Sequence, residues 1–568
     1  MAADSCVTTF AGGTFSTTGA ASRPVFFASN GGSITATAPV TLSSVGTTSP
    51  GAWAATAGTV SLNSGGSITT IGNTSPGARA EGGAVNLSGT TTSITTSGLN
   101  GYGLEAVYAV VGGVNTNGVV NASSVNIVTT GQAAHGAMAS RGAIMTLDTI
   151  DIQVSGSYAS GLIGQGYLPF VPLVPMPTTI NGSNVTINVS GDNGRGANVN
   201  STGSITLSDS SLTVTGTNGY GVSAARHDPV NNIGSVMTLL RTSVSCTETA
   251  ALVYSSGEIY ATDSTLTGGK YGVTLTDYTD ALSKNPPLNI VSIDGGSLTS
   301  VLDTFYAEGP ISEITLKNRT AVSADNKVLL NVITTAPLTL VSKVDFTVED
   351  ITATGDIIAD AGSVLNNALI SGSIITGIEK NTHTTIDTSS RWIMNGNSDI
   401  HSLALAGTAA FDPAGGYKTL TTKDYVGNDG VLMVNTYLDI DGSPSDRLII
   451  NGGSATGTTK IRVNNTGGPG APTTGNGILV VQAINGATID PGAFVLDTDL
   501  RGIGGHDYAL HYGSVDTSGP NNWYLRSTAR PQPFPGTVGV PALSPMGLAL
   551  LAGMLAVPAL WRRRRGSL

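Results

Sequence analysis

The residues with the clearest catalytic chemistry are carboxylates between positions 148 and 303. Polysaccharide-cleaving enzymes on repetitive β folds need acids grouped on one face, two for acid–base catalysis or several for calcium. Here the acids are spread out, at Asp148, Asp151, Asp209, Asp263, Asp277, Asp280, Asp294 and Asp303. Asp148 and Asp151 lie three positions apart, which in a strand predicts opposite sides. A pairing of Asp263 with Asp294 across neighbouring repeats stays open at this stage.

Other catalytic and metal-binding signatures are missing from the sequence. The six histidines show no H-E-x-x-H spacing for zinc, and His506 and His511 fall in predicted strands. Neither a G-x-S-x-G nucleophile elbow nor a G-x-x-x-x-G-K-[ST] phosphate loop occurs. The sequence therefore predicts no catalytic residue, no cofactor and no metal site. A polysaccharide lyase or hydrolase is kept as the enzymatic alternative.

Composition favours a repetitive β structure. The 568 residues include 75 glycines, only 11% are charged, and β-branched residues recur at strand period, which disfavours helical bundles and disorder. The net charge is −11, and four of the 26 basic residues are the consecutive Arg562–Arg565. A nucleic-acid ligand needs a basic face, so none is predicted. Two cysteines, Cys6 and Cys246, fit a secreted protein without a disulfide framework, and a bridge between them stays open.

A repeat of about 25 residues runs through most of the chain. Ser49-Pro50-Gly51-Ala52 recurs 26 residues later as Ser75-Pro76-Gly77-Ala78. The glycine series continues at Gly103, Gly136, Gly161, Gly196, Gly221 and Gly272. Two or three short strands per repeat predict coils of a right-handed parallel β-helix, with small or β-branched residues inside and Thr, Ser and Asn outside. We expect the glycines to supply positive φ at the turns.

Two longer repeats, Gly103–Gly136 and Gly161–Gly196, indicate insertions that leave the stack. The second mixes prolines with large apolar residues. Proline cannot donate to a β ladder, so this segment is predicted to be an extended protrusion. We interpret it as a candidate contact loop for a partner, the alternative being a loop folded back over the solenoid. Its large side chains are Tyr167, Leu168, Phe170, Val171, Leu173 and Met176.

The stretch 411–527 concentrates the aromatic residues and should have the densest core. It opens with Phe411-Asp412-Pro413-Ala414-Gly415-Gly416-Tyr417-Lys418, centres on Asp446-Arg447-Leu448 and ends Trp523-Tyr524-Leu525-Arg526. This order resembles the folding-promoting C-terminal part of pertactin-like autotransporter passengers, and Arg391-Trp392-Ile393-Met394 resembles the coil that precedes it. The resemblance implies export to the surface of a Gram-negative bacterium, and a module that covers the open end of the stack. The serine-protease and Arg-Gly-Asp motifs of some relatives are missing.

The C-terminal tail resembles the IPTL-CTERM class of bacterial sorting signals. The residues that carry the motif are Val540, Pro541, Ala542, Leu543, Ser544 and Gly547. The class pattern is broken at Ala542, Pro545 and Met546. An uncharged run to Trp561 is followed by Arg562, Arg563, Arg564 and Arg565, as the aromatic-belt and positive-inside rules require. The resemblance implies a membrane and a sorting protease as partners, in place of a transporter barrel. No secretory signal is visible at the start of the sequence.

The sequence thus predicts an all-β protein in five segments. These are a cap (1–20), a parallel β-helix of about 15 coils (21–400), a folding and capping module (401–527), a Pro-rich linker with the sorting motif (528–545) and a transmembrane-like helix with its arginine tail (546–568). The leading hypothesis is a non-enzymatic, adhesin-like surface rod with a host-matrix or polysaccharide ligand. The alternatives are the glycan-cleaving enzyme and a structural surface layer or immune decoy.

Overall fold

A computed structural model describes residues 1–19, 23–111, 113–166, 176–225, 234–277, 288–334 and 341–530. Across these ranges the chain is all β and forms a parallel β-helix, as predicted. None of the described residues belongs to an apolar helix long enough to cross a membrane. Each coil contributes one strand to each of three faces. Face A starts with the first strand of the chain, face B with the second and face C with the third.

The strands of the N-terminal coils are short, and most have four or five residues. They are β1 (Ala2–Asp4), β2 (Val7–Phe10), β3 (Gly13–Thr17), β4 (Phe26–Ser29), β5 (Ser33–Ala36), β6 (Val40–Ser44), β7 (Ala52–Ala55), β8 (Thr59–Leu62), β9 (Gly66–Thr70), β10 (Ala78–Glu81), β11 (Ala84–Leu87), β12 (Thr92–Thr96), β13 (Leu104–Val107), β14 (Ala109–Val111), β15 (Val114–Thr116), β16 (Val119–Thr129), β17 (Ala137–Ser140) and β18 (Ile144–Val154).

The central coils keep the same three-strand plan. Their strands are β19 (Ser160–Gln165), β20 (Thr179–Val189), β21 (Arg195–Asn200), β22 (Ser204–Ser208), β23 (Ser211–Val214), β24 (Tyr220–Ala225), β25 (Ser235–Leu240), β26 (Ser243–Cys246), β27 (Thr249–Tyr254), β28 (Gly257–Thr262), β29 (Thr265–Gly268), β30 (Tyr271–Thr276), β31 (Leu288–Asp294), β32 (Ser297–Ser300), β33 (Phe305–Glu308), β34 (Ile311–Lys317), β35 (Ala321–Ala324) and β36 (Val328–Ile333).

The C-terminal coils are less regular and end in an antiparallel hairpin. Their strands are β37 (Lys343–Glu349), β38 (Thr352–Thr354), β39 (Asp356–Ala359), β40 (Val364–Ile370), β41 (Ile374–Thr376), β42 (Glu379–Lys380), β43 (Thr382–Ile386), β44 (Arg391–Met394), β45 (Ser398–Leu405), β46 (Thr408–Phe411), β47 (Thr419–Thr436), β48 (Arg447–Asn451), β49 (Ser454–Asn465), β50 (Ile478–Ile484), β51 (Thr488–Ile489), β52 (Phe494–Leu496), β53 (His506–Tyr512) and β54 (Trp523–Ala529).

In the N-terminal and central coils, three strands continue without a break from face B to face C. These are β16, β18 and β20, each 11 residues long. Each bends at one residue with positive φ: Ser124, Thr149 and Asn184. The residue at the bend does not point into the core and has no ladder partner in the next coil. The alternation of inward and outward side chains therefore starts again after it.

The first insertion leaves the stack as a small antiparallel hairpin. Strands β14 and β15 pair with each other and with no strand of the solenoid. Val110 and Val114 are exposed on it. The longer repeat between Gly103 and Gly136 therefore adds an outward loop, as predicted, and the coils on either side stay paired through β13 and β17.

The core is a set of columns in which like residues stack one coil apart. The clearest column runs along face C through Ile68, Ile94, Ile127, Ile152 and Ile187. All five side chains are at most 1% exposed. Full burial of an isoleucine contributes about 1.5–3 kcal/mol, so each coil adds a similar increment of stability by repeating one pattern.

The repeat glycines serve a different purpose from the one predicted. None of the glycines at positions 51, 77, 103, 136, 161, 196, 221 and 272 has positive φ, so that expectation is wrong. At Gly77, an added Cβ would lie 2.3 Å from Cγ2 of Ile94 and 2.8 Å from the carbonyl oxygen of Gly103. The same collision with an isoleucine recurs at Gly51, Gly103, Gly136 and Gly161. Glycine is needed here because the isoleucine column occupies the space of its side chain.

Positive φ falls instead on the residue three positions before seven of these eight glycines, all except Gly272. The series is Thr48, Thr74, Asn100, Ala133, Tyr158, Asn193 and Asn218. A left-handed backbone costs a non-glycine residue about 1–2 kcal/mol. Cross-coil hydrogen bonds help offset this cost: Thr74 donates its N–H to Leu99 (2.7 Å) and Tyr158 to Asp192 (2.8 Å).

The solenoid core contains a carboxyl group. Glu379 on β42 is 1% exposed. Its carboxyl oxygens accept hydrogen bonds from Asn367 Nδ2 (3.0 Å), Thr382 Oγ1 (2.8 Å) and Thr384 Oγ1. Burial raises the pKa of Glu379, and the three donors oppose that rise only in part.

Both cysteine thiols are free, so the bridge left open by the sequence does not form. Cys6 is exposed in the first coil, whereas Cys246 is buried on β26. Its Sγ lies 3.4 Å from the carbonyl oxygen of Gly219. Burial raises the pKa of the Cys246 thiol, which keeps it in the unreactive protonated form.

Gly77→Ala is expected to destabilise the chain by about 1–3 kcal/mol, because the new methyl group must displace Ile94 or the Gly103 carbonyl. Denaturant midpoints followed by circular dichroism measure the effect. The matched control is Gly492→Ala, where an added Cβ meets no atom within 4 Å. Equal midpoints for the two variants would contradict the close-approach explanation.

Glu379→Gln is expected to stabilise the chain at neutral pH by about 1–3 kcal/mol, because the amide removes a buried charge. The folded pKa is raised, so the stability linked to Glu379 is complete below its ordinary pKa of about 4.3 and is lost as pH rises through the folded pKa. The difference between variant and wild type should therefore grow with pH. Chemical denaturation at pH 4, 6 and 8 measures it, with the exposed Glu313→Gln as control. A constant difference would refute the assignment.

Candidate functional site

The end of the solenoid is closed by a change from parallel to antiparallel pairing. Strand β47 pairs in parallel with β45 and β46 on one side and with β48 and β49 on the other. Beyond it, β54 pairs antiparallel with both β50 and β53. An unprotected parallel edge can pair with other chains. Strand β54 covers the edge of β50 and ends the parallel ladder.

A buried lysine organises the first loop of this region. Lys418 is only 4% exposed. Its Nζ donates to the carbonyl oxygens of Asp412 (2.6 Å), Ala414 and Gly416 (2.9 Å). Gly415 and Gly416 have φ of 78° and 82°, which lets the loop curl around the ammonium group. The motif Phe411–Lys418 is thus a backbone cage for one cation.

A buried carboxylate ties this loop to the next coil. Asp446 is fully buried and accepts hydrogen bonds from the N–H of Lys418 (2.7 Å), the N–H of Asn435 (2.8 Å) and Asn435 Nδ2 (2.7 Å). Asn435 Nδ2 also donates to the Phe411 carbonyl (3.1 Å). Burial raises the pKa of Asp446, and the donors and the Lys418 charge oppose it. One carboxyl group therefore joins β47, the Lys418 cage and the start of β48.

Four aromatic rings fill the end of the core. Trp523 packs on Phe494 with ring centroids 5.8 Å apart and on Tyr512 at 5.3 Å, and Tyr425 packs on Phe494 at 5.7 Å. Tyr425 is 1% exposed, and its hydroxyl pairs with Thr459 Oγ1 at 2.8 Å. These rings close the solenoid interior, in keeping with the aromatic content of the stretch.

The acids at 148 and 151 do not lie on opposite sides of their strand. Both side chains are on the outside of β18, because the bend at Thr149 resets the alternation between them. Asp148 accepts a hydrogen bond from Ser183 (2.7 Å), and Asp151 accepts one from Gln153 (2.8 Å). The prediction of opposite sides was wrong, since it assumed one straight strand.

The remaining described acids have structural partners. Asp209 forms an ion pair with Arg241 (2.6 Å), and Asp303 accepts from Asn326 (2.7 Å) and Asn331 (2.9 Å). Asp277 is buried and accepts from Ser255 at 3.2 Å. Asp280 lies outside the described residues.

Asp263 and Asp294 do come together on neighbouring coils, as the sequence left open. The contact is through the backbone: the N–H of Asp263 donates to the Asp294 carbonyl at 2.8 Å. The Asp294 carboxylate forms an ion pair with Lys317 (3.2 Å) and accepts a hydrogen bond from Asn318 Nδ2 (2.5 Å). The bond that joins the two acids is thus between backbone atoms, and the Asp294 carboxylate has structural partners of its own.

The histidines are distributed along the solenoid and the terminal region. His135 is half-buried and stacks on Tyr102, and desolvation lowers its pKa to about 4. His383 and His401 lie side by side with ring centroids 5.2 Å apart, a neighbour pair that sequence spacing did not reveal. His506 and His511 lie in β53, as predicted. In the described ranges no three His, Cys, Asp or Glu side chains form a metal-binding group.

Most of the predicted contact and sorting residues lie outside the described part of the chain. Of the contact loop, only Met176 is described, and it lies beside Gly142. Tyr167, Leu168, Phe170, Val171 and Leu173 are outside it, as are the motif at Val540–Gly547 and the tail Trp561–Arg565. Those interpretations stay predictions.

Comparison with known families gives a match over the terminal region. Residues 398–510 match the family model described as Autochaperone Domain Type 1. The matched range contains the Lys418 cage, Asp446 and two of the four clustered aromatic rings, Tyr425 and Phe494. The match covers about a fifth of the chain.

Relatives and solved structures give further likenesses. The chain is 37% identical over 126 residues to "Adhesin BmaC autotransporter" of Brucella suis biovar 1 (strain 1330), covering 22% of this chain and 4% of that protein. It is 36% identical over 125 residues to "Probable autotransporter YfaL" of Escherichia coli (strain K12), covering 21% and 9%. A chain of the solved Vag8–C1 inhibitor complex covers 77% of this chain and 95% of its own length, at 15% identity and a TM-score of 0.38.

The chain therefore spans only a small part of the curated relatives it matches. The agreement nevertheless falls on the segment whose buried cation, carboxylate and aromatic rings close the β-helix. Residues 398–510 are therefore similar to the autochaperone domain of autotransporters, and two of the relatives that share this part of the chain are named as autotransporters.

Proposed function

We propose that this chain is an autotransporter passenger. It forms a non-enzymatic, adhesin-like rod that presents binding surfaces at the cell exterior. The observation that carries the proposal is the continuous solenoid, in which the acids Asp148, Asp209, Asp294 and Asp303 are held in structural hydrogen bonds and ion pairs. A catalytic acid has to be available to substrate and have a pKa suited to proton transfer. Acids engaged in this way fit a scaffold better than a glycan-cleaving site.

The adhesin assignment draws on a relative as well. The printed name of the Brucella suis protein calls it an adhesin, and the match to it covers 22% of this chain. Contact with a host matrix is assigned to the loop from Tyr167 to Met176, whose large apolar side chains suit a partner surface. Attachment is assigned to the tail: the motif at 540–547 is the sorting signal and 546–568 is the membrane anchor.

The terminal region, 401–527, is proposed to start folding as well as to end the stack. Several of its interactions join residues close in sequence: Lys418 binds the loop directly before it, Asp446 binds Asn435, 11 positions earlier, and β53 and β54 form a hairpin. Short loops close faster and at lower entropic cost than long ones. A solenoid coil, in contrast, has to find a partner about 25 residues away. The module can thus form first and offer β47 as a template for the preceding coil.

Surface display of the full chain on a non-adherent Gram-negative strain tests the adhesive role. Cells are expected to bind immobilised fibronectin, collagen or laminin above empty cells, and the Phe170→Ser/Leu173→Ser variant is expected to lose most of that binding. The control is Val110→Ser/Val114→Ser, which changes two exposed apolar residues on a different insertion. Wild-type cells that bind none of the three proteins, or loss of binding in the control alone, would refute the assignment.

Asp446→Ala is expected to cost about 3–5 kcal/mol, because it leaves Asn435 and the Lys418 N–H without their buried acceptor. If the module starts folding, the variant should also refold more slowly and in lower yield after dilution from guanidinium chloride. The comparison is with Gly77→Ala, which destabilises coils far from the module and should mainly speed unfolding. Exposed Asp490→Ala is the control within the module. Refolding of Asp446→Ala at the wild-type rate would contradict the folding role.

A further inference from the structure

A groove of about 340 Å³ crosses face B near the C-terminal end of the solenoid. Its floor is built from β37, β40, β43, β45 and β47, five strands stacked in register. Two columns of outward side chains line it. The polar column is Asp345, Asn366, His383, Ser402 and Asp424, and the small column is Thr347, Ala368, Thr385, Ala404 and Val426.

The polar column is already ordered by its own hydrogen bonds. Asn366 Nδ2 donates to Asp345 Oδ1 at 2.6 Å, and His383 Nδ1 lies 2.9 Å from Ser402 Oγ. The His383 pKa is lowered by partial burial and by the nearby His401, so the imidazole is neutral at neutral pH. The column therefore offers carboxylate and amide acceptors together with amide, imidazole and hydroxyl donors. Ordered polar groups of this kind lose little entropy when a ligand binds.

The small column provides an apolar strip beside these polar groups. Ala368 and Ala404 alternate with Thr347 and Thr385. These short side chains protrude little from the sheet, and they line the floor of the groove with methyl groups along its length. Neighbouring strands repeat about every 4.8 Å along the axis. A ligand in this groove thus meets the same pair of environments, one polar and one methyl-lined, at each step.

The charge of the groove restricts the ligand further. Two of its lining residues, Asp345 and Asp424, carry carboxylates, and no lysine or arginine is among the residues that line it. Sulfated, phosphorylated or uronate ligands would be repelled by the two carboxylates. Neutral hydroxyl groups, in contrast, donate strong hydrogen bonds to a carboxylate.

We propose that this groove binds a neutral oligosaccharide lying along the solenoid axis. Its hydroxyl groups bond to Asp345, His383 and Asp424, and the apolar faces of its rings rest on the alanine methyl groups. The distance between coils is close to the length of one pyranose unit, so successive sugars meet successive coils. This deepens the proposed adhesive role by naming a ligand class, and it places the site far in sequence from the contact loop.

Isothermal titration of the full chain with maltohexaose, cellohexaose and N-acetylchitohexaose tests the proposal. At least one of these neutral hexasaccharides is expected to bind with a Kd of about 1 mM or lower. Ala404→Trp should weaken that binding at least tenfold by filling the small column, and His383→Ala should weaken it by a similar factor. The matched control is Ala321→Trp, at an exposed position of β35 on face C, which should bind as wild type does. Circular dichroism and melting temperature check that each variant folds, and Asn366→Ala replaces any that does not.

Several results would overturn the proposal. They are failure of all three saccharides to bind, equal binding by Ala404→Trp and Ala321→Trp, and binding of hexalysine in preference to any saccharide, which would assign the groove to a basic peptide. Cells that adhere while the purified chain binds no saccharide would overturn the groove and leave the adhesive role standing. Saccharide binding by a chain that confers no adhesion would overturn the adhesive role and leave the groove proposal standing.

Discussion

The structure depends on one constraint, the register of parallel hydrogen bonds between each coil and the next. Every strand of the solenoid has its partner one coil away, and the partner residues are usually of the same kind, as in the isoleucine column of face C. Because neighbouring coils supply each other's hydrogen bonds and core contacts, an isolated coil has neither. Stability is therefore collective, and it is gained by repetition of small increments along the axis.

The register explains why the repeat glycines, which resemble turn residues in the sequence, are required by packing. The repeat glycines make room for an isoleucine, and the strained left-handed residues three positions earlier are held by ladder hydrogen bonds. Glu379 and Asp446 both occur in the C-terminal coils, where hydrogen-bonded side chains replace aliphatic columns. The core contacts of those coils therefore differ from one coil to the next, unlike the repeated aliphatic columns of the other coils. A region that closes the stack needs such differences.

The same register organises the outer surface. Most outward columns repeat Ser, Thr and Asn, and such a face is uniform from coil to coil. A distinct chemical environment arises only where several successive coils change the type of residue in one column. Face B does this between Asp345 and Val426, where acids, an imidazole and alanines come into line. Long insertions give a second way to break the uniformity, because they add a loop without disturbing the coils around it.

The amino-acid sequence by itself determined the fold class, the repeat and the position of the terminal region. Alternating β-branched residues and glycines at a near-constant period are local signals, and the motifs around Lys418, Asp446 and Trp523 can be recognised without coordinates. The sequence also located the first insertion. It placed the repeat glycines correctly but gave the wrong reason for them, because the isoleucine that fills the vacant space comes from a different face of the coil.

Only the tertiary structure decided which side chains are neighbours across coils. Coil length varies: Leu162 pairs with Ala197, 35 residues on, whereas Ala251 pairs with Val273, 22 residues on. A fixed period therefore cannot align the outer columns, and one left-handed residue, such as Thr149, reverses the side on which the next residues point. The pairing of His383 with His401 and the groove between Asp345 and Asp424 follow from this register, which long-range backbone hydrogen bonds set and local sequence does not encode.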